Sequence, residues 1–394
     1  MAMARMQEAR ITRGTRVLVR LDLNVPMEKG RVSDDSRIVA ALATLTALTT
    51  QGARVRVLTH LGRPEGKRVT SLSVAPIAEH LSRLVKASVT FAAARVGTPA
   101  LTHVLDAQQP GTIVVLENIR FYPGEDKNDA TFGKELAALG DVYVNDGFSV
   151  CHRAAASVVA VTRHLPSYAG LQLEREVAEL SQVFRPQRPA VLIIGGVKIE
   201  TKLPVIEALG PKFDAILLGG GVANTVLASQ KYDVGNSVCD TDYLREALAL
   251  TKKKEVYVPV DVAVGKAHEM HVRHVAVEHR PHTLADEALS INDIGPATIA
   301  QYREIIETAQ TIVWNGPLGM FERREYQLGT LAIMAAVGAA ARRGAHVVIG
   351  GGETVDAARR HHMVQYIRHV STGGGAMLEF LSGTALPGIS ALTK

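Results

Sequence analysis

His346-Val347-Val348-Ile349-Gly350-Gly351-Gly352-Glu353-Thr354 reads as a short apolar strand that ends in three glycines and leads into a helical stretch. Glycine lets a backbone approach an anion closely. The first N–H groups of a helix have no internal partner and point outward, where the helix dipole favours negative charge. Two further triplets, Gly219-Gly220-Gly221 and Gly373-Gly374-Gly375, have the same setting, so each of the three could hold a phosphate. Taken singly, each could equally be a plain tight turn. Neither common nucleotide fingerprint is present. The Gly-Lys pairs at Gly66, Gly133 and Gly265 are followed by Arg68, Glu135 and Ala267 rather than Ser or Thr. Gly219-x-Gly221-x-x-Asn224 and Gly350-x-Gly352-x-x-Val355 both lack the third glycine of the dinucleotide motif.

Along the rest of the chain, strand patterns at 16–21, 54–58, 112–116, 141–144, 190–194, 213–218, 256–260, 311–314, 346–349 and 366–370 are interleaved with amphipathic stretches such as 37–50, 72–85, 242–251 and 326–342. Such alternation predicts parallel sheets covered by helices on both faces, with ligands collecting beyond the carboxyl ends of the strands. The glycines fall there. A chain of 394 residues exceeds what one hydrophobic core organises, so the expected fold class is α/β with two doubly wound parallel-sheet domains. The expected bounds are 1–171 and 190–381. Between them, 172–189 is a charged helical stretch closed by Arg185-Pro186-Gln187-Arg188-Pro189, which suits a linker helix ending at a proline break.

Composition narrows the partners. The net charge of +5 lies in the first half, where residues 1–170 hold 21 Lys+Arg against 15 Asp+Glu, while residues 171–394 hold 23 against 24. A basic half favours an anionic ligand, but its cations are scattered and lack interleaved aromatics, so no nucleic acid is expected. Cys151 and Cys239 form no metal or redox spacing, the N-terminus carries no secretory pattern, and no apolar run reaches transmembrane length. A cytoplasmic protein without a membrane partner is expected. The tract His268, His271, His274, His279 and His282 does not match H-E-x-x-H, and 272–277 reads as an ordinary strand, so no metal is assigned there.

The first half carries its own constellation at the ends of its strands. Asp22 and Asn24 follow the first, Arg37 opens the next helix, His60 and Arg63 follow the second, Arg120 the third, and His152-Arg153 the fourth. Parallel strands would gather these groups on one edge. Arginine presents a planar fork suited to carboxylate or phosphate, and several such forks on one rim imply a small polyanion. The alternative is a solvated surface on which the arginines pair with acids such as Asp34, Asp35 and Glu125.

The chain resembles the phosphoglycerate kinase family from end to end. The match is carried in the first half by Arg20-Leu21-Asp22-Leu23-Asn24-Val25-Pro26, Thr59-His60-Leu61-Gly62-Arg63-Pro64, Leu116-Glu117-Asn118-Ile119-Arg120-Phe121 and Val144-Asn145-Asp146-Gly147-Phe148 with His152-Arg153. The second half adds Gly195-Gly196-Val197-Lys198-Ile199-Glu200-Thr201-Lys202, Leu218-Gly219-Gly220-Gly221, Asp293-Ile294-Gly295-Pro296, Trp314-Asn315-Gly316-Pro317-Leu318-Gly319-Met320-Phe321-Glu322 and Ser371-Thr372-Gly373-Gly374-Gly375.

The resemblance implies reversible phosphoryl transfer between 1,3-bisphosphoglycerate and ADP, giving 3-phosphoglycerate and ATP, with magnesium carried on the nucleotide. It implies that Asp22, Leu23, Asn24, Arg37, His60, Leu61, Gly62, Arg63, Arg120 and Arg153 hold the acid. Lys202, Gly219, Gly220, Asn315, Glu322 and Gly350, Gly351, Gly352, Glu353 and Thr354 would hold ATP or ADP. Arg37, Lys198 and the amides of Gly374 and Gly375 would neutralise the moving phosphoryl group, which asks for positioning and charge more than for a protein nucleophile. Glu353 stands where the family's usual G-G-G-D-[ST] motif has aspartate, and is expected to serve the Mg2+ ion of the nucleotide complex. Residues 382–394 would form a tail that returns to the first domain, and a monomer that closes between its domains is expected. Two other readings remain from the residues: a nucleotide-binding scaffold without transfer, and a dinucleotide oxidoreductase.

Overall fold

Short runs of four or five residues, too short for a helix and mostly buried, form the centre of each sheet, wholly apolar in Ala190–Ile194 and interrupted by the buried Arg56 in Arg54–Leu58. In the computed structural model, which describes residues 3–266 and 269–393, the chain divides into two units, residues 1–178 with 385–394, and residues 179–384.

Unit 1 holds a six-stranded parallel sheet. Its strands are β1 (Arg16–Arg20), β2 (Arg54–Leu58), β3 (Val89–Ala92), β4 (Ile113–Leu116), β5 (Val142–Asn145) and β6 (Ser167–Ala169), in the spatial order β3-β4-β2-β1-β5-β6. The register aligns Arg20 with Leu58 and with Asn145, so the exits of β1, β2 and β5 are level. Helix α1 (Ser36–Thr50) packs Ile38, Leu45 and Leu48 onto the buried valines of β1 and β2. Residues 385–393 belong to this unit: the Leu392 carbonyl accepts from the Ala4 amide at 3.0 Å, and the Cys151 carbonyl accepts from Gly388 at 2.9 Å. Helix α2 (Leu171–Gln182) starts in unit 1, and the division falls inside it, between Ala178 and Glu179.

Unit 2 holds a second parallel sheet of β7 (Ala190–Ile194), β8 (Ala215–Leu218), β9 (Val256–Tyr257), β10 (Thr311–Asn315), β11 (His346–Gly350) and β12 (His369–Val370). Its order, β9-β8-β7-β10-β11-β12, reverses direction between β7 and β10, which is the switch point where a doubly wound sheet opens a crevice. The helices that serve it are α3 (Gly220–Ser229), α4 (Pro296–Glu307), α5 (Leu328–Arg342), α6 (Gly352–Arg360) and α7 (Gly375–Leu381). The core between sheet and helices centres on Trp314, Tyr302, Ile312, Ile333 and Val347, all fully buried.

The expected α/β class with two parallel sheets is what the structure shows, and several bounds shift for local reasons. The strand expected at 256–260 ends at Tyr257, close before Pro259, which has no N–H for a ladder. The helix expected from 326 starts at Leu328, after a single 3-10 turn, and that expected from 242 starts at Leu244 in the same way. Of the antiparallel sheet that has Asp261–Gly265 between Arg273–Ala276 and Ser290–Ile294, only the edge strand near 272–277 was expected. That segment carries His274. His282 bonds the carbonyls of Arg280 and Ala276, while His268 lies outside the described residues.

Three helices begin at a buried carboxylate contributed from elsewhere. Asp261 accepts from the amides of Ala297 and Thr298 at the start of α4, Asp293 from Gly329 at the start of α5, and Asp146 from Gln172 and Leu173 at the start of α2. Each satisfies orphan N–H groups. At Asp146 burial dominates over these bonds and pushes the carboxyl pKa up to about 7. The folded state then holds this proton more tightly than the unfolded chain, in which the group titrates near about 4. Its stabilising contribution is fully present below about pH 4 and is lost as pH rises to about 7. Thermal unfolding of Asp146→Asn across this range should show a shallower decline than the parent, with the variant gaining relative stability toward pH 7. Parallel pH profiles would show that Asp146 is not a proton store.

Candidate active site

In unit 1 the aligned exits of β1, β2 and β4 bring most of the expected groups into one hydrogen-bonded set. Asp22 Oδ2 accepts from Arg37 Nη1 at 2.6 Å, and the same nitrogen donates to the Asn24 carbonyl at 3.1 Å. Asp22 Oδ1 accepts from the Asn24 amide, and the Ser149 hydroxyl closes on Oδ2. Asn24 Oδ1 accepts from the Gly62 amide at 2.9 Å, and Arg120 Nη1 donates to the Gly62 carbonyl at 2.9 Å. Leu23 and Leu61 take part through their backbones: the Leu23 amide donates to Thr59 Oγ1, and the Leu61 carbonyl accepts from Asn118. Gly62 has φ +63°, and a Cβ there would stand 2.8 Å from Leu72, so glycine is required for this turn.

Arg63 and Arg153 are exposed. Arg63 makes no ion pair among the described residues, and Arg153 Nε donates to His152 Nε2 at 3.1 Å. His60 is buried, and burial first, then Arg20, Arg120, Arg37 and Arg153, holds its pKa well below the usual histidine value. It is neutral in the folded protein at neutral pH.

Unit 2 separates the three glycine triplets by what their amides do. Gly219 donates to the Ile194 carbonyl at 3.0 Å and Gly220 to Leu318 at 2.8 Å. The Gly219–Gly220 pair, expected to cradle phosphate, therefore spends its N–H groups on neighbouring backbone and serves close packing. A Cβ on Gly195 would lie 2.0 Å from the Pro317 carbonyl oxygen, and one on Gly316 2.2 Å from that of Gly195. Around Gly352 and Gly374, by contrast, no heavy atom lies within 4 Å of an added Cβ, and neither α6 nor α7 has a side-chain cap. These two helix starts face open space, with Gly375 the first residue of α7.

Beside α6 lies a compact polar group. Lys202 is 8% exposed, its ammonium bonds Asn315 Oδ1, and burial lowers its pKa to about 8 against the opposing pull of Glu353. Asn315 Nδ2 is buried without a hydrogen-bond partner, and Thr354 Oγ1 accepts from the Gly316 amide at 2.8 Å. Next to this group a slot opens between Gly220, Val238, Pro259, Leu318 and Met320, with Glu322 and Glu353 on its lining. Lys198 and Glu353 are exposed.

The sequence reading passed over Arg20 and Ser149 as site groups. Arg20 is 1% exposed and its Nη2 lies 3.2 Å from His60 Nδ1. The one available signal was a charged residue closing the run Arg16-Val17-Leu18-Val19-Arg20.

A basic strand edge in one doubly wound unit, and in the other a glycine-walled slot with a buried lysine and two uncapped helix starts, define a nucleotide-dependent phosphotransferase. The phosphoglycerate kinase family model matches residues 6–384, and the chain belongs to that family. Among curated relatives, phosphoglycerate kinase of Azorhizobium caulinodans is 43% identical over 388 residues, covering 97% of both chains. That of Desulforudis audaxviator is 44% identical over 389 residues, covering 96% of both. Among solved structures, phosphoglycerate kinase from Coxiella burnetii superposes with a TM-score of 0.83 at 37% identity, covering 100% of this chain and 99% of the other. The enzyme from Pyrococcus horikoshii OT3 gives 0.86 at 31%, covering 99% and 98%. The protein is thus an enzyme that moves a phosphoryl group reversibly between 1,3-bisphosphoglycerate and ADP, forming 3-phosphoglycerate and ATP.

Gly352→Ala separates nucleotide contact from fold. The added methyl meets no atom and no backbone strain, so melting temperature should hold or rise slightly, by at most about 1 kcal/mol of stability. KM for ATP should rise. An unchanged KM would remove this helix start from the nucleotide site.

Proposed function

We propose that the residues of the two units divide the reaction as follows. In unit 1, Asn24, Arg37, His60, Arg63, Arg120 and Arg153 take the carboxylate and phosphate of the acid, with Asp22 fixing Arg37 and the Leu23, Leu61 and Gly62 backbone shaping the floor. The observation that carries this reading is the continuous hydrogen-bonded path Arg37–Asp22–Asn24–Gly62–Arg120, which joins the exits of three strands. In unit 2 the slot takes the nucleotide base, Glu322 the ribose, and Lys202, Asn315, Thr354 and the amides of Gly351 and Gly352 the phosphates. Asn315 Nδ2, buried and unpartnered, is a donor suited to a phosphate oxygen.

In the ATP-consuming direction a carboxylate oxygen of 3-phosphoglycerate attacks the γ-phosphorus. The bond between that phosphorus and the bridging oxygen breaks, and ADP leaves. The nucleophile is already ionised, so no protein base is needed and neutral His60 contributes a hydrogen bond. Arg37, Lys198 and the Gly374 and Gly375 amides neutralise charge on the moving group. Magnesium enters as part of the nucleotide substrate. Among the described residues no three acidic, histidine or cysteine side chains gather as a resident metal site, and Glu353, exposed on the first turn of α6 beside Lys202, fits an ion that keeps most of its ligands from phosphate and water.

Transfer needs reacting atoms within about 3–3.5 Å and exclusion of water, which would otherwise turn the enzyme into an ATPase. We therefore read 172–189 as a hinge whose motion brings substrates together, with 382–394 as its second strap. A monomer suits a chain that carries both ligand sets. Two cysteines without disulfide partners suit a cytoplasmic setting, and no described helix is long and apolar enough to cross a membrane.

A coupled assay tests the whole assignment: NADH should be oxidised by a downstream dehydrogenase only when ATP, magnesium and 3-phosphoglycerate are all present. Nucleotide binding without turnover would favour a scaffold. Arg37→Ala should lower kcat about 100-fold, or roughly 3 kcal/mol, more than it raises KM. A change in KM alone would make Arg37 an anchor. Lys202 gives a second test. Bound phosphates should raise its lowered pKa, so at roughly pH 8.5 ATP binding should take up a proton. Calorimetry in two buffers of different ionisation enthalpy measures that uptake, and equal heats would place Lys202 away from the phosphates.

A further inference from the structure

We propose that Arg20, clamped by Ser157 and Glu125, is a positioning residue that fixes His60 as a neutral imidazole with its hydrogen on Nε2, ready to donate to an oxygen of the phosphoglycerate. The inference rests on the assignment of His60 to the acid. A guanidinium has only donors, and Arg20 Nη2 lies 3.2 Å from His60 Nδ1. That nitrogen must therefore present its lone pair, because a second N–H there would face a donor in a buried setting. The nearest carboxylate, Asp22 Oδ1, is 4.0 Å from the same nitrogen, beyond hydrogen-bond range. The ring hydrogen is left on Nε2, for which no described residue is an acceptor.

The guanidinium is itself held on its other sides. Nη1 bonds the Leu21 carbonyl, and Nε donates to Ser157 Oγ at 2.9 Å. Ser157 Oγ in turn donates to Glu125 Oε1 at 2.5 Å, and its amide to Oε2 at 2.9 Å. Arg20, Ser157 and Glu125 are all at most 1% exposed. A buried guanidinium needs acceptors and a counter-charge: Ser157 Oγ, the Leu21 carbonyl and His60 Nδ1 accept from it, and Glu125, bonded to Ser157, supplies the charge through that hydroxyl. The charged groups that act on the ring are Arg20, Arg37, Arg120 and Arg153 on one sign and Asp22 on the other, so protonation is opposed from several sides. The site thereby gains one donor that neither titrates nor adds to the repulsion among its arginines.

Nitrogen-resolved NMR of histidine-labelled enzyme without substrate tests this directly. His60 should show a bare Nδ1 and a protonated Nε2, unchanged over roughly pH 6 to 8. A protonated Nδ1, or a titrating ring, overturns the proposal without any variant. Ser157→Ala should free Arg20, give a mixed tautomer signal and raise KM for 3-phosphoglycerate about fivefold, as for one neutral hydrogen bond. Glu125→Gln keeps an oxygen for Ser157 and should perturb the signal less than Ser157→Ala. A Ser157→Ala enzyme that is folded and has the parent tautomer and KM also overturns it. If His60 shows the Nε2–H form but His60→Gln leaves KM untouched, the placement of His60 in the acid site fails while the tautomer assignment stands.

Discussion

Every strand of a parallel sheet leaves on the same edge, and the level register of β1, β2 and β5 is what places side chains from distant parts of the chain within hydrogen-bond reach. Asp22, Gly62 and Ser149 are far apart in sequence, yet one chain of bonds links them because each follows a strand whose last residue is level with its neighbour's. In unit 2 the same constraint works at the switch point. There β7 and β10 pair along their full length, and glycine at 195 and 316 lets the backbones beyond them touch. Side chains at those positions would wedge the crevice floor apart.

Desolvated charge sets the character of both ligand sets. In unit 1 burial makes His60 neutral and leaves the arginines as the charged groups, while in unit 2 it weakens the hold of Lys202 on its proton. On the proposed division of residues, the phosphate or carboxylate of a substrate would supply the counter-charge that these buried cations lack within the fold.

Much of this was legible in the sequence where a residue's role depends on its own position. Runs such as Ala190–Ile194, buried throughout, announce a parallel sheet, and arginines just beyond such runs announce an anionic ligand. What depends on a partner was not legible. Nothing in Gly219-Gly220-Gly221 says that carbonyls of Ile194 and Leu318 claim its amides, while Gly352 keeps open space. The strands Asp261–Gly265 and Ser290–Ile294 were not legible because Asp261, Asn292 and Asp293 interrupt their apolar runs, and only backbone partners distant in sequence make the burial of these polar groups possible. Arg20 was passed over because a charged residue closing a strand ordinarily reads as solvated, and only its distant partners Ser157 and Glu125 make its burial possible.

The pairing of residues 3–4 with 392–393 has a consequence for biosynthesis. Ala4 donates to Leu392, Met3 bridges Thr393, and Leu386 and Leu392 are each 2% exposed in the unit built otherwise from residues 1–178. On the ribosome, the part made first is therefore the part finished last. Unit 2, which is continuous from 179 to 384, can complete its contacts before 385–393 emerge, but unit 1 must wait for those residues before its surface is closed. The order of synthesis and the order of completion run in opposite directions for the two units, and a chain lacking 385–393 leaves the earlier-made unit incomplete.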